Sequence, residues 1–487
     1  MSGTKKSAKH LFVGSLFSKA ISFVGTIFLA RILYPEDFGY LLSAMIIAGF
    51  IQMFGNVGFE NFYLQEKTTS KEQEEKILHI TFKLRMLVNL ALFVLQWIIS
   101  YITEIYYSPI VGQMLRVFSF NIVLMIPVQI NMYVLRKKLN YKPEVYANVS
   151  RDIISTIMKL IFAMSGFGAL SFAIGAVIGN IARTLVILRF QSFLPDFSIK
   201  DKQIFEKIFF FGKHSFIGGI ATYFTNQIDK ILLGSFFPAS IVGYYYFAES
   251  QSKTVFTYFL APQSSLILSY SAKYKDNPKY LFNVLKNIGY LIGIFTLPVV
   301  VYLSFYSNEI FHIVFGQKWD QSIYIFKCFL IYYFITELTF PFSPLLTAFG
   351  LPSVAAKLVS IRFVVLAIAL STTIMITNNI LYYLYVFIFI SFIFSWIKLY
   401  IGLNIMKQSS YEYLLFLKNL IPITFVYVGV LYLIDSLSID LSYKLIFGLV
   451  CIIISSLVIH IVFLKKQFRS ALSFILSSSN KFLQRLN

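Results

Sequence analysis

Charged side chains stand inside long apolar runs of this sequence. Lys19, Lys159, Arg183, Glu249, Lys253 and Glu337 lie deep in their runs, and Arg31, Asp229, Lys230 and Lys327 lie nearer the ends. A charge at the centre of a membrane-spanning helix costs roughly 2.5–3.5 kcal/mol on insertion scales, so each calls for a partner or a wet cavity. The set is mostly cationic, and fixed cations at depth can hold an anion away from bulk water. Lys19, Arg31, Lys159, Arg183, Lys230, Glu249, Lys253 and Lys327 are therefore the candidate substrate-binding residues. Glu249 and Lys253, four apart, share a helix face and can neutralise one another when no ligand is present. Asp229 and Glu337 are candidates to bind a coupling proton or sodium ion, since secondary transporters put carboxylates in that role. A blander account stands beside these. Lys159, Arg183 and Lys327 fit snorkelling to headgroups or pairing with a neighbouring helix, and Arg31, beside Pro35, fits an interface anchor.

Other chemistry is poorly served. The five histidines are scattered without zinc-site spacing, so no metal site is expected. No Gly-x4-Gly-Lys-Ser/Thr phosphate loop is present, so ATP is not hydrolysed by that route. Cys328 and Cys451 fall inside apolar runs, where they read as small hydrophobes and not as a disulfide or redox pair. No cofactor is implied. Pro341 and Pro344, three apart and close to Glu337, are the candidate hinge, because a proline frees a backbone carbonyl and lets a helix bend. Gly175-x3-Gly179 and Gly289-x3-Gly293 read as close helix approaches.

The elements that must position these residues are membrane helices. The chain has 487 residues, 57% of them apolar and 13% charged, a balance foreign to a soluble domain. Apolar runs near the ~20 residues needed to cross the hydrocarbon recur from Leu11 to Phe463. They place helices near 10–33, 39–64, 77–101, 109–134, 146–165, 168–189, 212–235, 242–268, 281–304, 322–348, 354–376, 380–403, 418–435 and 443–464, about fourteen in all. Pro35, Ser108-Pro109, Gly166–Gly168, Pro238, Gly350–Pro352 and Asn378-Asn379 punctuate them. The first run is too long for a signal-peptide core and lacks a small-residue cleavage site, so it reads as a retained helix. Polar intervals are too short for a soluble domain.

The net charge of +20 does not point to nucleic acid, because the basic residues collect at helix ends and not in one stripe. They mark topology and contact membrane lipids. One set of alternating ends holds Lys5, Lys67, Arg136, Lys137, Lys200, Lys273, Lys398, Lys407 and Lys465, while the other holds Glu36, Asp37, Glu104, Glu309, Asp320, Asp435 and Asp440. The basic face is expected to be cytoplasmic, with both termini on it.

A weak internal repeat is present. Pro35-x3-Gly39-Tyr40 is answered by Pro238-x4-Gly243-Tyr244, each after a basic residue near the end of a helix. Two related halves with the substrate route between them are a common transporter plan. The segment Gly14–Gly39, ending in Leu29-Ala30-Arg31-Ile32-Leu33-Tyr34-Pro35-Glu36-Asp37-Phe38-Gly39, resembles the opening signature of polysaccharide-export proteins in the multidrug/oligosaccharidyl-lipid/polysaccharide (MOP) superfamily. Asp229-Lys230-Ile231-Leu232-Leu233-Gly234, with Gly243-Tyr244-Tyr245 and Ala248, is similar to that family's start of the second half. The likeness is greatest to exporters of O-antigen, colanic acid and teichuronic acid, and in length and helix number it extends over essentially the whole chain.

The resemblance implies an all-α fold like that of the multidrug-extrusion transporters. Its N-lobe would be 1–207, its C-lobe 208–404, and 405–487 would carry two further helices and a cytoplasmic tail. It also implies a non-enzymatic flippase in the bacterial inner membrane. The substrate would be an undecaprenyl-pyrophosphate-linked oligosaccharide, carried from the inner to the outer leaflet for surface polysaccharide (O-antigen, capsule or exopolysaccharide), alongside polysaccharide polymerase machinery. The deep cations would then line the space between the lobes and hold the pyrophosphate, with Lys253 a central contact. Two other classes compete. A membrane-embedded polymerase or ligase needs catalytic groups on a sizeable outer loop, and the loop Ser304–Ser322 offers just Glu309, His312, Lys318 and Asp320. A multidrug exporter of organic cations would favour an acidic interior, whereas this one carries more lysine and arginine than carboxylate.

Overall fold

The computed structural model describes residues 2–459 apart from 56–57, 67–69, 139, 200, 261–266, 268–270, 272 and 343–344. Every long element among them is a helix. In order these are α1 (Ser2–Ile32), α2 (Pro35–Met53), α3 (Phe59–Gln65), α4 (Lys71–Tyr106), α5 (Pro109–Lys137), α6 (Lys142–Met164), α7 (Leu170–Phe190), α8 (Lys202–Phe236) and α9 (Ala239–Leu260). Then follow α10 (Pro278–Phe305), α11 (Ser307–Val314), α12 (Asp320–Thr339), α13 (Leu345–Ala348), α14 (Pro352–Thr377), α15 (Ile380–Ile405), α16 (Ser410–Lys418), α17 (Leu420–Asp435) and α18 (Leu441–Val458).

The punctuation residues end and start these helices by ordinary means. Asp37 reaches back to the Tyr34 amide at 2.9 Å, and Ser70 accepts from the Gln73 amide at 3.1 Å, each satisfying a first-turn donor. Asn378 closes α14 in the left-handed conformation, with φ of 42°, and Asn379 caps α15 through the Leu381 amide at 2.8 Å. Where helix bounds differ from the sequence reading, a local cause is visible. The run 39–64 breaks into α2 and α3 because Gly58 takes φ of 69°, a conformation open to glycine at no steric cost. The run 322–348 is interrupted by a 3-10 turn at Phe340–Phe342, around a proline that donates no amide.

Nine stretches among the described residues are long and apolar enough to cross a bilayer, which makes this a multi-pass membrane protein. Five further helices, α1, α2, α6, α8 and α9, have at least 19 residues. Of these, α1, α6, α8 and α9 carry candidate ions: Lys19 and Arg31, then Lys159, then Asp229 and Lys230, then Glu249 and Lys253.

The chain divides into two compact units, Met1–Gly243 and Tyr244–Asn487. In the first, α4 packs on α5, α6 on α7 and α1, α7 on α5, and α2 on α5 and α8. In the second, α12 packs on α10 and α15, α14 on α15, and α17 on α10 and α18.

Helix α4 is polar inside and apolar outside. Thr81, Arg85, Asn89, Gln96, Ser100 and Thr103 form a buried stripe at helical spacing, whereas Leu87, Leu90, Val94, Leu95, Ile98 and Ile102 face out. The stripe bonds partly within α4, where Thr81, Ser100 and Thr103 donate to carbonyls of the preceding turn, and partly to α5. Asn89 donates to the Ile122 carbonyl at 3.1 Å, and Gln96 donates to the Leu115 carbonyl at 2.9 Å. An apolar exterior over hydrogen-bonded polar groups suits lipid surroundings, where an unpaired polar group finds no water.

Candidate functional site

In the first unit Lys159 and Arg183 stand on the packed helices α6 and α7, and glycines set how closely these helices meet. A Cβ on Gly175 would lie 2.5 Å from Lys159 Cγ and 2.8 Å from its backbone nitrogen, and one on Gly179 would lie 2.6 Å from Ser155 Cβ. The expected close approach at Gly175-x3-Gly179 is thus made against α6. The stem of Lys159, half-buried, runs over Gly175. Arg151 lies a few turns earlier on α6 and pairs with its neighbour Asp152, Nε to Oδ1 at 2.8 Å. Both Lys159 and Arg183 interact electrostatically with Arg151 and Asp152.

Arg183 is 8% exposed. Its terminal nitrogens approach the sulfurs of Met125 and Met132 on α5 at 3.8 and 3.4 Å, and its buried Nε has no hydrogen-bond partner. Thioethers are weak acceptors, so this guanidinium keeps most of its capacity for an anion. Lys19 is half-buried on α1, next to the buried Ser18, and Arg31 is exposed in the last turn of the same helix. On α8, Asp229 is 2% exposed and lies 3.5 Å from the ammonium of its neighbour Lys230.

The second unit brings together part of the remaining set. Glu249, buried on α9, accepts a hydrogen bond from the Tyr333 hydroxyl on α12 at 3.2 Å. Lys253 is exposed one turn on and interacts electrostatically with the half-buried Glu337 of α12. Lys327 is half-buried on α12, away from this group in sequence. Pro341 is buried within the 3-10 turn after α12, and Pro344 lies outside the described residues. The break is braced: Tyr413 of α16 donates its hydroxyl to the Leu338 carbonyl at 2.5 Å, and Gly289 of α10 leaves room for it, since a Cβ there would stand 2.6 Å from that hydroxyl. Gly289 therefore admits a side chain, and Gly293 meets Leu338 and Leu420.

Sequence reasoning missed Arg85. It is 3% exposed, donates to the Tyr133 hydroxyl at 2.6 Å, and its guanidinium carbon lies 5.8 Å from the rings of Phe59 and Tyr133. The pattern that finds it is the polar stripe of α4, which a scan for isolated charges in apolar runs passes over. Nearby, Arg136 at the end of α5 bridges Glu60 and Glu144, and Lys137 lies 3.4 Å from Glu74. These pairs tie α3, α4, α5 and α6 together at one end. The loop after α7 is tied to α4 as well: the Asp196 amide donates to His79 Nδ1 at 2.9 Å, and the Ser198 amide and hydroxyl hold the Asp196 carboxyl below its ordinary range. Among the described residues no group of three His, Cys, Asp or Glu side chains is placed to hold a metal ion.

The two turn motifs of the internal repeat meet each other. A Cβ on Gly39 would stand 1.9 Å from the Ala239 carbonyl oxygen, and one on Gly243 would stand 1.7 Å from the Pro35 carbonyl oxygen. Each glycine receives the backbone of the other motif.

Comparison with known proteins follows the same lines. The family described as polysaccharide biosynthesis protein matches residues 28–324. A succinoglycan biosynthesis transport protein of Rhizobium meliloti (strain 1021) is 21% identical over 46% of this chain and 45% of its own length. A lipopolysaccharide biosynthesis protein of Escherichia coli (strain K12) is 20% identical over 71% of this chain and 70% of its own. A probable low-salt glycan biosynthesis flippase of Haloferax volcanii is 21% identical over 66% and 67%. The chain thus spans about half the length of the first relative and about two thirds of the other two. Among solved structures, a lipid II flippase in an inward closed conformation superposes with a TM-score of 0.74 at 17% identity, covering 94% of this chain and 99% of that one. An inward-facing multidrug-resistance transporter of the MOP superfamily gives 0.64 at 13% identity, covering 80% and 96%. A multi-pass helical chain with ion-bearing membrane helices, the fold of these transporters and a family match over more than half its length belongs to the polysaccharide biosynthesis protein family.

Proposed function

We propose that this protein is a flippase for lipid-linked oligosaccharides. It would carry undecaprenyl-pyrophosphate-linked repeat units from the inner to the outer leaflet of a bacterial cytoplasmic membrane by alternating access, for O-antigen, capsule or exopolysaccharide synthesis. Nine described stretches are long and apolar enough to cross a bilayer, and with the five further long helices counted as crossings the total would be the fourteen the sequence suggests. They would be arranged as two six-helix lobes and two C-terminal helices, with cytoplasmic termini.

The observation that carries the reading is where the ions sit. Cations and a few acids stand on α6, α8 and α9, helices whose length suits the bilayer, and a soluble diphosphate carrier would have no use for such placement. Lys19, Arg31, Lys159, Arg183, Lys230, Lys253 and Lys327 would meet the diphosphate at successive stages. Glu249 would act with Lys253, Asp229 and Glu337 would take the coupling proton or sodium ion, and Pro341 with Pro344 would form the hinge. The names of the relatives, which include a transport protein and a probable flippase, support transfer over polymerisation.

Reconstituted protein given a fluorescent lipid-linked oligosaccharide tests this. Transfer to the opposite leaflet is expected; chain elongation would show a polymerase instead, and the absence of both would remove the substrate class. In cells, Lys253→Ala is expected to abolish export while the protein remains inserted, and full export by that variant would strike Lys253 from the site.

A further inference from the structure

The hairpin of α14 and α15 carries a charge arrangement that transport of a diphosphate through the other candidate residues does not use. From residue 338 to residue 411 the chain contains no Asp or Glu, yet it contains Lys357, Arg362, Lys398 and Lys407. Arg362 and Lys398 stand on the two adjacent, packed helices and interact electrostatically. Arg362 donates one terminal nitrogen to the Ser391 hydroxyl at 3.1 Å, and its buried Nε has no hydrogen-bond partner. Among the described residues no carboxylate pairs with either charge. Two like charges in an apolar hairpin raise each other's cost unless an anion joins them.

Their depth narrows the choice of anion. Counted from the Asn378-Asn379 turn at a rise of ~1.5 Å per residue, Arg362 lies about 23 Å and Lys398 about 27 Å along the hairpin. The hydrocarbon is ~30 Å thick, so Lys398 reaches the glycerol-phosphate level of the leaflet opposite that turn, while the Arg362 guanidinium, held against Ser391, stands deeper in the same hairpin. The exposed Lys357 and Lys407 lie beyond them on the same side.

The first unit shows the contrast. Its hairpin α6–α7 has Arg151 and Arg183 each about 20 Å from its own turn, but Asp152 and Glu144 accompany them. On α14–α15 the acids are gone and the cations remain. We infer that Lys398, backed by the deeper Arg362 guanidinium that Ser391 holds, forms a binding site for the phosphate of a membrane lipid. The site depends on membrane placement alone and stands whether or not the chain proves to be a flippase.

Native mass spectrometry of the full-length protein in detergent tests it, with phosphatidylglycerol, phosphatidylcholine and undecaprenyl diphosphate added separately. The wild type is expected to retain an anionic lipid, and Arg362→Gln/Lys398→Gln is expected to lower its occupancy about tenfold, the consequence of losing roughly 1.4 kcal/mol of binding. Loss of the phosphatidylglycerol adduct assigns the site to a bulk lipid, and loss of the diphosphate adduct alone assigns it to the carrier lipid; both sustain a phosphate site. Unchanged adducts in a monodisperse double variant overturn it, as does equal retention of all three lipids by both proteins. Should the double variant not fold, Lys398→Gln must lose adduct and the charge-keeping Lys398→Arg must retain it, and any other pair of results refutes the assignment.

Discussion

At the scale of single residues, the membrane interior separates charges that are satisfied from charges that are held ready. Arg85 belongs to the first kind through its terminal nitrogen, although its buried Nε has no hydrogen-bond partner. Its contact with the Tyr133 hydroxyl is buried, so Tyr133→Phe leaves a desolvated guanidinium short of an acceptor. The expected cost is about 1.5–3 kcal/mol, seen as a lower thermal midpoint of the purified protein. Adding Arg85→Met should recover most of it, because removing both polar partners is far milder than removing one. A double variant as unstable as the single one would show that Arg85 serves stability through another partner. Arg183 belongs to the second kind, since it meets thioethers and no carboxylate pairs with it among the described residues. Arg183→Gln is therefore expected to lower lipid-linked substrate transfer at least about tenfold, a loss of roughly 1.4 kcal/mol in the transition state, with little change in thermal midpoint. A large fall in stability with transfer rates per folded molecule intact would make it a packing residue.

At the scale of elements, glycines and prolines carry more information than apolar runs do. The turn residues at Pro35, Pro109, Pro352 and Asn378 were legible in the sequence because each has a local mechanism, a fixed φ or a cap, that acts whatever the surroundings. The break at Phe340–Phe342 was legible only as a proline pair near Glu337; its brace by Tyr413 depends on a residue 75 positions away and no local pattern encodes it. Arg85 escaped for a related reason, since an inward polar stripe shows as a departure from apolarity on one face and not as a lone charge. The mutual contact of Gly39 with Ala239 and of Gly243 with Pro35 gives an element-level test. Gly39→Ala or Gly243→Ala places a methyl group against backbone that cannot swing aside, at an expected cost of about 1–3 kcal/mol or more. Gly429→Ala on α17, where nothing lies within 4 Å, should be neutral or stabilising by up to about 1 kcal/mol. Equal thermal midpoints for all three variants would show that the two turns part readily.

At the scale of the whole molecule, an excess of fixed positive charge bears on the force that would drive the proposed transfer of a lipid-linked diphosphate. A diphosphate moving outward carries negative charge in the direction an inside-negative potential favours, worth about 2.3 kcal/mol per elementary charge for each 100 mV crossed. If the protein's cations stay in place while the substrate moves, that energy is delivered to the substrate. If Asp229 or Glu337 takes up a proton or sodium ion that travels inward in exchange, the potential acts on that ion too and in the same sense. Both routes predict that outward transfer in proteoliposomes rises by about an order of magnitude when an inside-negative potential is imposed by potassium and valinomycin, since half of the energy for one charge over 100 mV is near 1.2 kcal/mol. They part on substitution. With exchange, Glu337→Gln or Asp229→Asn removes the response to a pH or sodium gradient while the response to potential persists; without it, both variants keep the wild-type dependence on all three gradients. Transfer indifferent to potential in the wild type would mean that substrate charge is fully offset by groups moving with it, and the lysines and arginines of α6, α8 and α9 would then have to travel with their helices instead of serving as a stationary path.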